Sequence, residues 1–220
     1  DVYKRQTHGR PTVTNAHPHV SPDGRFALVH NGIIENADKL RTRLRAQGAV
    51  FASETDTEVV VHLLAHAYDQ ADPASYTGEV AQLSGTDEAV ARRLVVAMRE
   101  VTAKLEGTFT LLALSTESPN VIVAARRSSP LVIGLGEGEN FLSSDVLAFI
   151  EHTNRAVEIG QDQLVVVSAS AVTVIGADGH PVPLKEYEVD FSADRATKGG
   201  WPTFMEKEIH EQPRGVADTL

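Results

Sequence analysis

The chain has 220 residues, 42% of them hydrophobic, with 30 acidic against 20 basic side chains and a net charge of −10. That length and apolar content are enough to bury a large core. The acidic balance, with a pI near 5.3, argues against a nucleic-acid or anionic-membrane surface, which needs clustered Lys and Arg, and favours a small-molecule partner. No stretch reaches the roughly 20 apolar residues needed to span a bilayer, and Asp1–Gln6 contains no apolar signal core, so the expected location is cytoplasmic. There is no cysteine, which removes disulfides, thiolate metal sites and a cysteine nucleophile from these residues.

In chain order, residues 7–24 hold Pro, Gly, His and Asn at the density of an ordered loop. Pro22-Asp23-Gly24 is a turn, after which Arg25–Asn31 reads as a strand that Gly32 ends. Asn36 is placed to cap a helix carrying Leu40 and Leu44, with Gln47-Gly48 as its stop, and Val50–Ala52 is a short extended return. Thr55 or Asp56 caps a second helix whose apolar face is Val60, Leu63, Leu64 and Ala67. Residues 69–85 read as a linker. The three-and-four spacing of Val90, Leu94, Val101 and Leu105 predicts a helix over Asp87–Leu105, stopped by Gly107.

Beyond that point the pattern is of strands: Thr108–Leu114, Val121–Ala125, Leu131–Gly134, Phe141–Ser143, Val157–Ile159, Gln163–Val167 and Val172–Ile175. Turns are expected at Ser118-Pro119-Asn120, Gly136-Glu137-Gly138 and Ala177-Asp178-Gly179. Such short spacings favour antiparallel pairing, and early helices with late strands predict an α+β fold. Ser143-Ser144-Asp145 caps a brief helical turn through Ile150. Thr197–Pro202 reads as a linker and Met205–Gln212 as a helix of a further unit.

Several residues carry chemistry. Asn31-Gly32 alone reads as a hairpin turn, yet no matching strand follows, and an Asn amide beside a Gly N–H can converge on one developing oxyanion. Asp56 is either a plain helix cap or a cap that also holds an ammonium group. His8 has no role from its local sequence. His62 and His66 are four apart but lack the Glu of a His-Glu-x-x-His site, so no metal is expected there or at His17-Pro18-His19. Gly134–Gly138 lacks the Lys-Ser/Thr of a phosphate loop and fits a hairpin turn better.

Taken together, Thr7-His8-Gly9, Asn15–His19, Val29–Asn36 and Ser53–Glu58 resemble the glutaminase domain of the class II glutamine amidotransferases, specifically the glutamine–fructose-6-phosphate aminotransferase (isomerizing) family. The likeness extends through Ala125–Gly134, Ser143–Asp145 and Met205–Pro213. It implies an N-terminal-nucleophile hydrolase fold, a four-layer αββα sandwich, in which an N-terminal cysteine attacks the glutamine amide with its own α-amino group as base. The ammonia released passes to a sugar-isomerase domain that converts fructose 6-phosphate to glucosamine 6-phosphate. The same resemblance makes Asn31 and Gly32 the oxyanion hole, Asp56 the contact for the glutamine α-ammonium, and Thr7 and His8 the border of its carboxylate, with His17 in structural support. It implies no cofactor and no metal, L-glutamine and the sugar-isomerase domain as partners, and a homodimeric parent enzyme.

Two departures qualify this. The family's cysteine is missing, so a fragment cut at both ends and inactive alone is expected. Lys4-Arg5-Gln6 stand where the family has Arg-Trp-Ala, and a Lys cannot offer a carboxylate the planar fork of an Arg. Residues 1–6 are therefore expected to be foreign or misread, 7–190 the glutaminase domain, and 191–220 a linker and the start of the isomerase domain. The competing readings are the glutaminase domain of another class II amidotransferase, such as the one opening purine synthesis, and a non-catalytic glutamine-binding module.

Overall fold

The computed structural model describes residue 10, residues 12–189 and residues 200–217. Two antiparallel sheets form its centre. The larger is built from β1 (His19–Val20), β2 (Phe26–Ile34), β3 (Gly107–Ser115), β4 (Ser118–Arg127), β8 (Leu164–Val167), β9 (Val172–Ile175) and β10 (Pro181–Val182), hydrogen-bonded in that order. The smaller has the order β11 (Glu186–Glu188), β7 (Arg155–Glu158), β5 (Val132–Leu135) and β6 (Asn140–Ser143). The helices are α1 (Ala37–Ala46), α2 (Asp56–Gln70), α3 (Gly85–Lys104) and α4 (Phe204–Ala217). No described helix is long and apolar enough to cross a membrane.

The layering follows from the two-residue period of a strand. Phe26, Leu28, Leu111, Val123 and Val166 project from the larger sheet into a core with Val60, Leu64, Leu94, Met98 and Val101 of α2 and α3. Their neighbours Ala124, Val165, Val167 and Val174 project the other way, onto Ile133 and Val157 of the smaller sheet. This explains the unbroken apolar run Leu164–Val167: β8 is buried on both faces. Helix, sheet and sheet are thus three layers of the expected sandwich. On the outer face of the smaller sheet, the described residues place a 3-10 turn at Val146–Ala148 followed by Phe149. A Cβ at Gly134 would lie 2.6 Å from the Phe149 ring, so the absence of a side chain there lets that ring lie flat on the strand.

Four local expectations are corrected. Gly32 does not end its strand: β2 runs on to Ile34, with Gly32 opposite Phe109 at φ +134°. Asn36 precedes α1 but makes no side-chain cap, because its amide bonds Lys104 O and Glu106 N–H in the turn between α3 and β3. Ser118-Pro119-Asn120 lies within β4, and the hairpin reverses just before it, at Thr116-Glu117. Residues 69–85 are not only linker, since Pro73–Ser75 form a 3-10 turn and α3 begins at Gly85. The pairs and short partners β1, β10 and β11, of two or three residues each, give too little pattern to be read in sequence.

A candidate glutamine site at the open edge of strand β2

The first turn of α2 is held by a dense set of buried polar contacts. Thr55 is the cap, its Oγ accepting from the Glu58 N–H at 3.3 Å. In a capping box the acidic residue three positions on would return to the cap N–H. Here Glu58 reaches past the cap to the two residues at positions 52 and 53, accepting from the Ala52 N–H (2.8 Å), the Ser53 N–H (2.7 Å) and the Ser53 hydroxyl (2.6 Å). Burial works against the Glu58 charge, but these donors and nearby His62 outweigh it and hold its pKa below the usual value. Arg41 of α1 donates to the carbonyls of Ser53 and Thr55 and lies over the Phe51 ring. His19 contacts the Thr55 hydroxyl through Nε2 at 2.9 Å. Burial lowers the pKa of His19 and of His62, in both cases against the attraction of Glu58, so these rings are neutral at pH 7. His62 is buried and stacks on Phe51, while His66 is exposed.

Asp56 is the first residue of α2 and only 4% exposed. A carboxylate is favoured there by the positive end of the helix dipole. Its Oδ2 accepts the Ile34 N–H at 2.9 Å, and its Oδ1 lies 3.7 Å from His30 Nδ1. The register shows why that N–H is free to reach it. Glu35 donates to Glu106 O and Thr116 donates to Arg25 O, which sets the odd-numbered residues of β2 as the ones bonded to β3. The N–H groups of residues 30, 32 and 34 therefore point to the opposite edge, and β1 covers that edge only alongside Ala27 and Leu28. Gly32 and Ile34 thus direct backbone donors to the same uncovered edge, and Asp56 occupies one of them.

Asn31 projects from the other face of β2, between the sheets. Its Nδ2 donates to Ser144 Oγ at 3.2 Å. It borders a cavity of about 240 Å³ lined by Val29, His30, Thr110, Leu112, Leu131, Leu142 and Ser143 as well as Ser144. Asp56 does not line that cavity. The structure brings Asn31, Gly32 and Asp56 together around one stretch of strand edge, not inside one enclosed pocket. Thr7 and His8 lie outside the described residues. His17 contacts the Thr57 hydroxyl through Nε2 at 3.1 Å, consistent with structural support. The residues that sequence reasoning passed over are His30, Thr57 and Ser144, all within quoted motifs but with no side-chain chemistry that spacing alone could assign.

The arrangement offers neutral donors at Asn31 and Gly32 and one fixed carboxylate nearby. A larger cavity, of about 360 Å³ beside Arg99, Arg126 and Arg127, lies at the far end of α3 and shares no residue with this edge.

Comparisons with known proteins converge on these elements. The model of the glutamine amidotransferase domain matches residues 6–84, the span that contains β2 and the start of α2. The chain is 51% identical over 214 residues to the glutamine–fructose-6-phosphate aminotransferases (isomerizing) of Leifsonia xyli subsp. xyli and of Streptomyces coelicolor, and 49% identical to that of Corynebacterium glutamicum. Each match covers 97% of this chain and 32% of the relative, so the chain spans about a third of the length of these curated relatives. Among solved structures, the glutamine phosphoribosylpyrophosphate amidotransferase from B. subtilis complexed with ADP and GMP superimposes with a TM-score of 0.54 at 20% identity, covering 75% of this chain and 32% of that one. That likeness speaks for the fold alone, and it agrees with the α+β N-terminal-nucleophile hydrolase architecture expected from the motifs. Half of its residues are thus shared with these relatives along nearly its whole length, and residues 6–84 match the glutamine amidotransferase domain.

Proposed function

We propose that this chain is the glutamine-handling region of an enzyme that converts L-glutamine and fructose 6-phosphate to glutamate and glucosamine 6-phosphate. The observation that carries this reading is the 49–51% identity, over 97% of the chain, to aminotransferases of that name. The strand-edge geometry supports it. Free glutamine is a zwitterion with an amide at its far end, so its pocket needs donors for the amide oxygen and an anion for the ammonium. In this reading Asn31 Nδ2–H and the Gly32 N–H polarise the amide carbonyl and stabilise its developing oxyanion. Asp56 anchors the α-ammonium, and Thr7 and His8 border the carboxylate.

The 220 residues contain no cysteine. They supply binding and polarising groups, and the thiolate of the family reaction is not among them. Residues 7–190 form the glutaminase region, and residues 191–220, including α4, lead into a sugar-isomerase region that uses the ammonia. The enzyme works as a cytoplasmic homodimer. Calorimetric titration of the chain with L-glutamine, beside a glutaminase assay, tests the reading. Binding without turnover is expected, and binding should be lost in Asp56→Asn. Equal affinity of Asp56→Asn and the unsubstituted chain would refute the ammonium role.

A further inference from the structure

Around Asp56, one hydroxyl serves three partners. Thr57 Oγ lies 3.1 Å from His17 Nε2, 3.1 Å from His30 Nδ1 and 3.4 Å from Asp56 Oδ1. A hydroxyl has one proton to give and can accept twice, whereas a carboxylate only accepts. The set closes in one way: Thr57 donates to Asp56, and both imidazoles donate to Thr57. A second observation agrees. His30 Nδ1 is 3.7 Å from Asp56 Oδ1, where an N–H is attracted and a lone pair repelled. His30 therefore carries a proton on Nδ1.

Its Nε2 is fully buried and has no hydrogen-bond partner among the described residues. The two other buried side-chain nitrogens in this condition are Arg93 Nε and Arg126 Nε, which are donors. A buried polar atom left open is costly, and at this ring the contacts of the opposite nitrogen offset that cost.

We infer that His30 and Thr57 are positioning residues: the chain His30 Nδ1–H to Thr57 Oγ–H to Asp56 Oδ1 fixes one carboxylate oxygen, as the Ile34 N–H fixes the other, and sets the plane in which Asp56 meets an ammonium group. This rests on the proposed role of Asp56. Neither residue needs to touch the ligand.

The replacements that separate this from bulk packing are chosen by atom position. Asn at 30 keeps an N–H donor at the δ position, and Gln moves it to the ε position. Ser at 57 keeps the hydroxyl, and Val keeps the shape without it. In L-glutamine titrations of the chain, with each variant's folding verified by circular dichroism, His30→Asn and Thr57→Ser should bind within about threefold of the unsubstituted chain. His30→Gln and Thr57→Val should lose at least about tenfold. Undiminished binding by His30→Gln and Thr57→Val overturns the inference. Long-range proton–nitrogen NMR of the histidine rings provides the second arm: an Nδ1–H signature for His30 supports the hydrogen-bond chain, and an Nε2–H signature overturns it. If the unsubstituted chain binds no glutamine, the proposed function fails, and the NMR arm still decides the arrangement.

Discussion

Residues 53–58 and residues 143–144 both meet β2, from opposite faces and with opposite densities of hydrogen bonding. On the helix side, Ser53, Thr55, Asp56, Thr57 and Glu58 are all buried, and each side chain has a named polar contact. On the inter-sheet side, Asn31 is exposed, holds Ser144 by one bond of 3.2 Å, and faces a cavity with mainly apolar walls. The first region is over-determined and fixes a carboxylate in place. The second has space and donors that are lightly engaged. A site that grips a charged end and leaves room for a reacting end calls for this asymmetry, because an anchor gains from rigidity and a reacting group must be approached.

The contrast would be broken most directly at Glu58. Glu58→Ala leaves the Ala52 and Ser53 N–H groups and the Ser53 hydroxyl without their acceptor, at an expected cost of about 4 kcal/mol. Urea unfolding measures it, and a loss below about 1 kcal/mol would show that water substitutes freely and that the region is not rigid.

Gly32 sits between the two regions. A Cβ there would run into the Thr108 carbonyl oxygen and lie 2.9 Å from Phe109 Cα, both backbone atoms that cannot turn aside, and its φ of +134° disfavours any side chain. Gly32→Ala should cost about 3 kcal/mol, combining strain and overlap. Gly48→Ala is the control: it also has positive φ, but its surroundings are open, so about 1 kcal/mol is expected. Equal losses in the two variants would mean that close contact at Gly32 contributes nothing.

These two residues also show what could be read in advance. A cap at Thr55 or Asp56 and the apolar face of α2 were legible because capping and periodicity are local. The two-sheet stack was legible only through family resemblance, since a run such as Leu164–Val167 does not reveal which layer covers each face. The continuation of β2 through Gly32 was missed because its pairing with Phe109 spans 77 positions of sequence. Likewise Asn36 looked like a cap, and its amide was claimed instead by the turn between α3 and β3, which no local pattern announces. For Thr57 and His30, the residue types were visible but their convergence on Asp56 was not.

The helix-side region should also respond to acid. Burial is the largest cause lowering the pKa of His17, His19 and His62 below 6.5, joined at His17 by the neighbouring His19 and His30 rings. The unfolded chain then takes up protons first as pH falls, so their contribution is present above pH 6.5 and is lost below it. Glu58, also lowered, adds a loss that begins below 4.5. Thermal midpoints measured from pH 7.5 to 5 should decline progressively, and His19→Asn should flatten the decline. A midpoint that is level over that range would mean that the rings are not held neutral.

Asn31→Ala should have the smallest effect on folding and thereby sharpen the comparison. The side chain is exposed and makes one bond, to the half-buried Ser144 hydroxyl, so its removal should change unfolding free energy by no more than about 0.5 kcal/mol. Its effect on ligand binding is expected to be larger. Under the proposed function, in which Asn31 donates to the glutamine amide oxygen, its loss should weaken L-glutamine binding by about threefold to tenfold, with no change in the pH dependence set by the helix-side histidines. A drop in stability with affinity intact would invert the assignment, making Asn31 a strut between the sheets and moving the reacting end of the site elsewhere along the β2 edge.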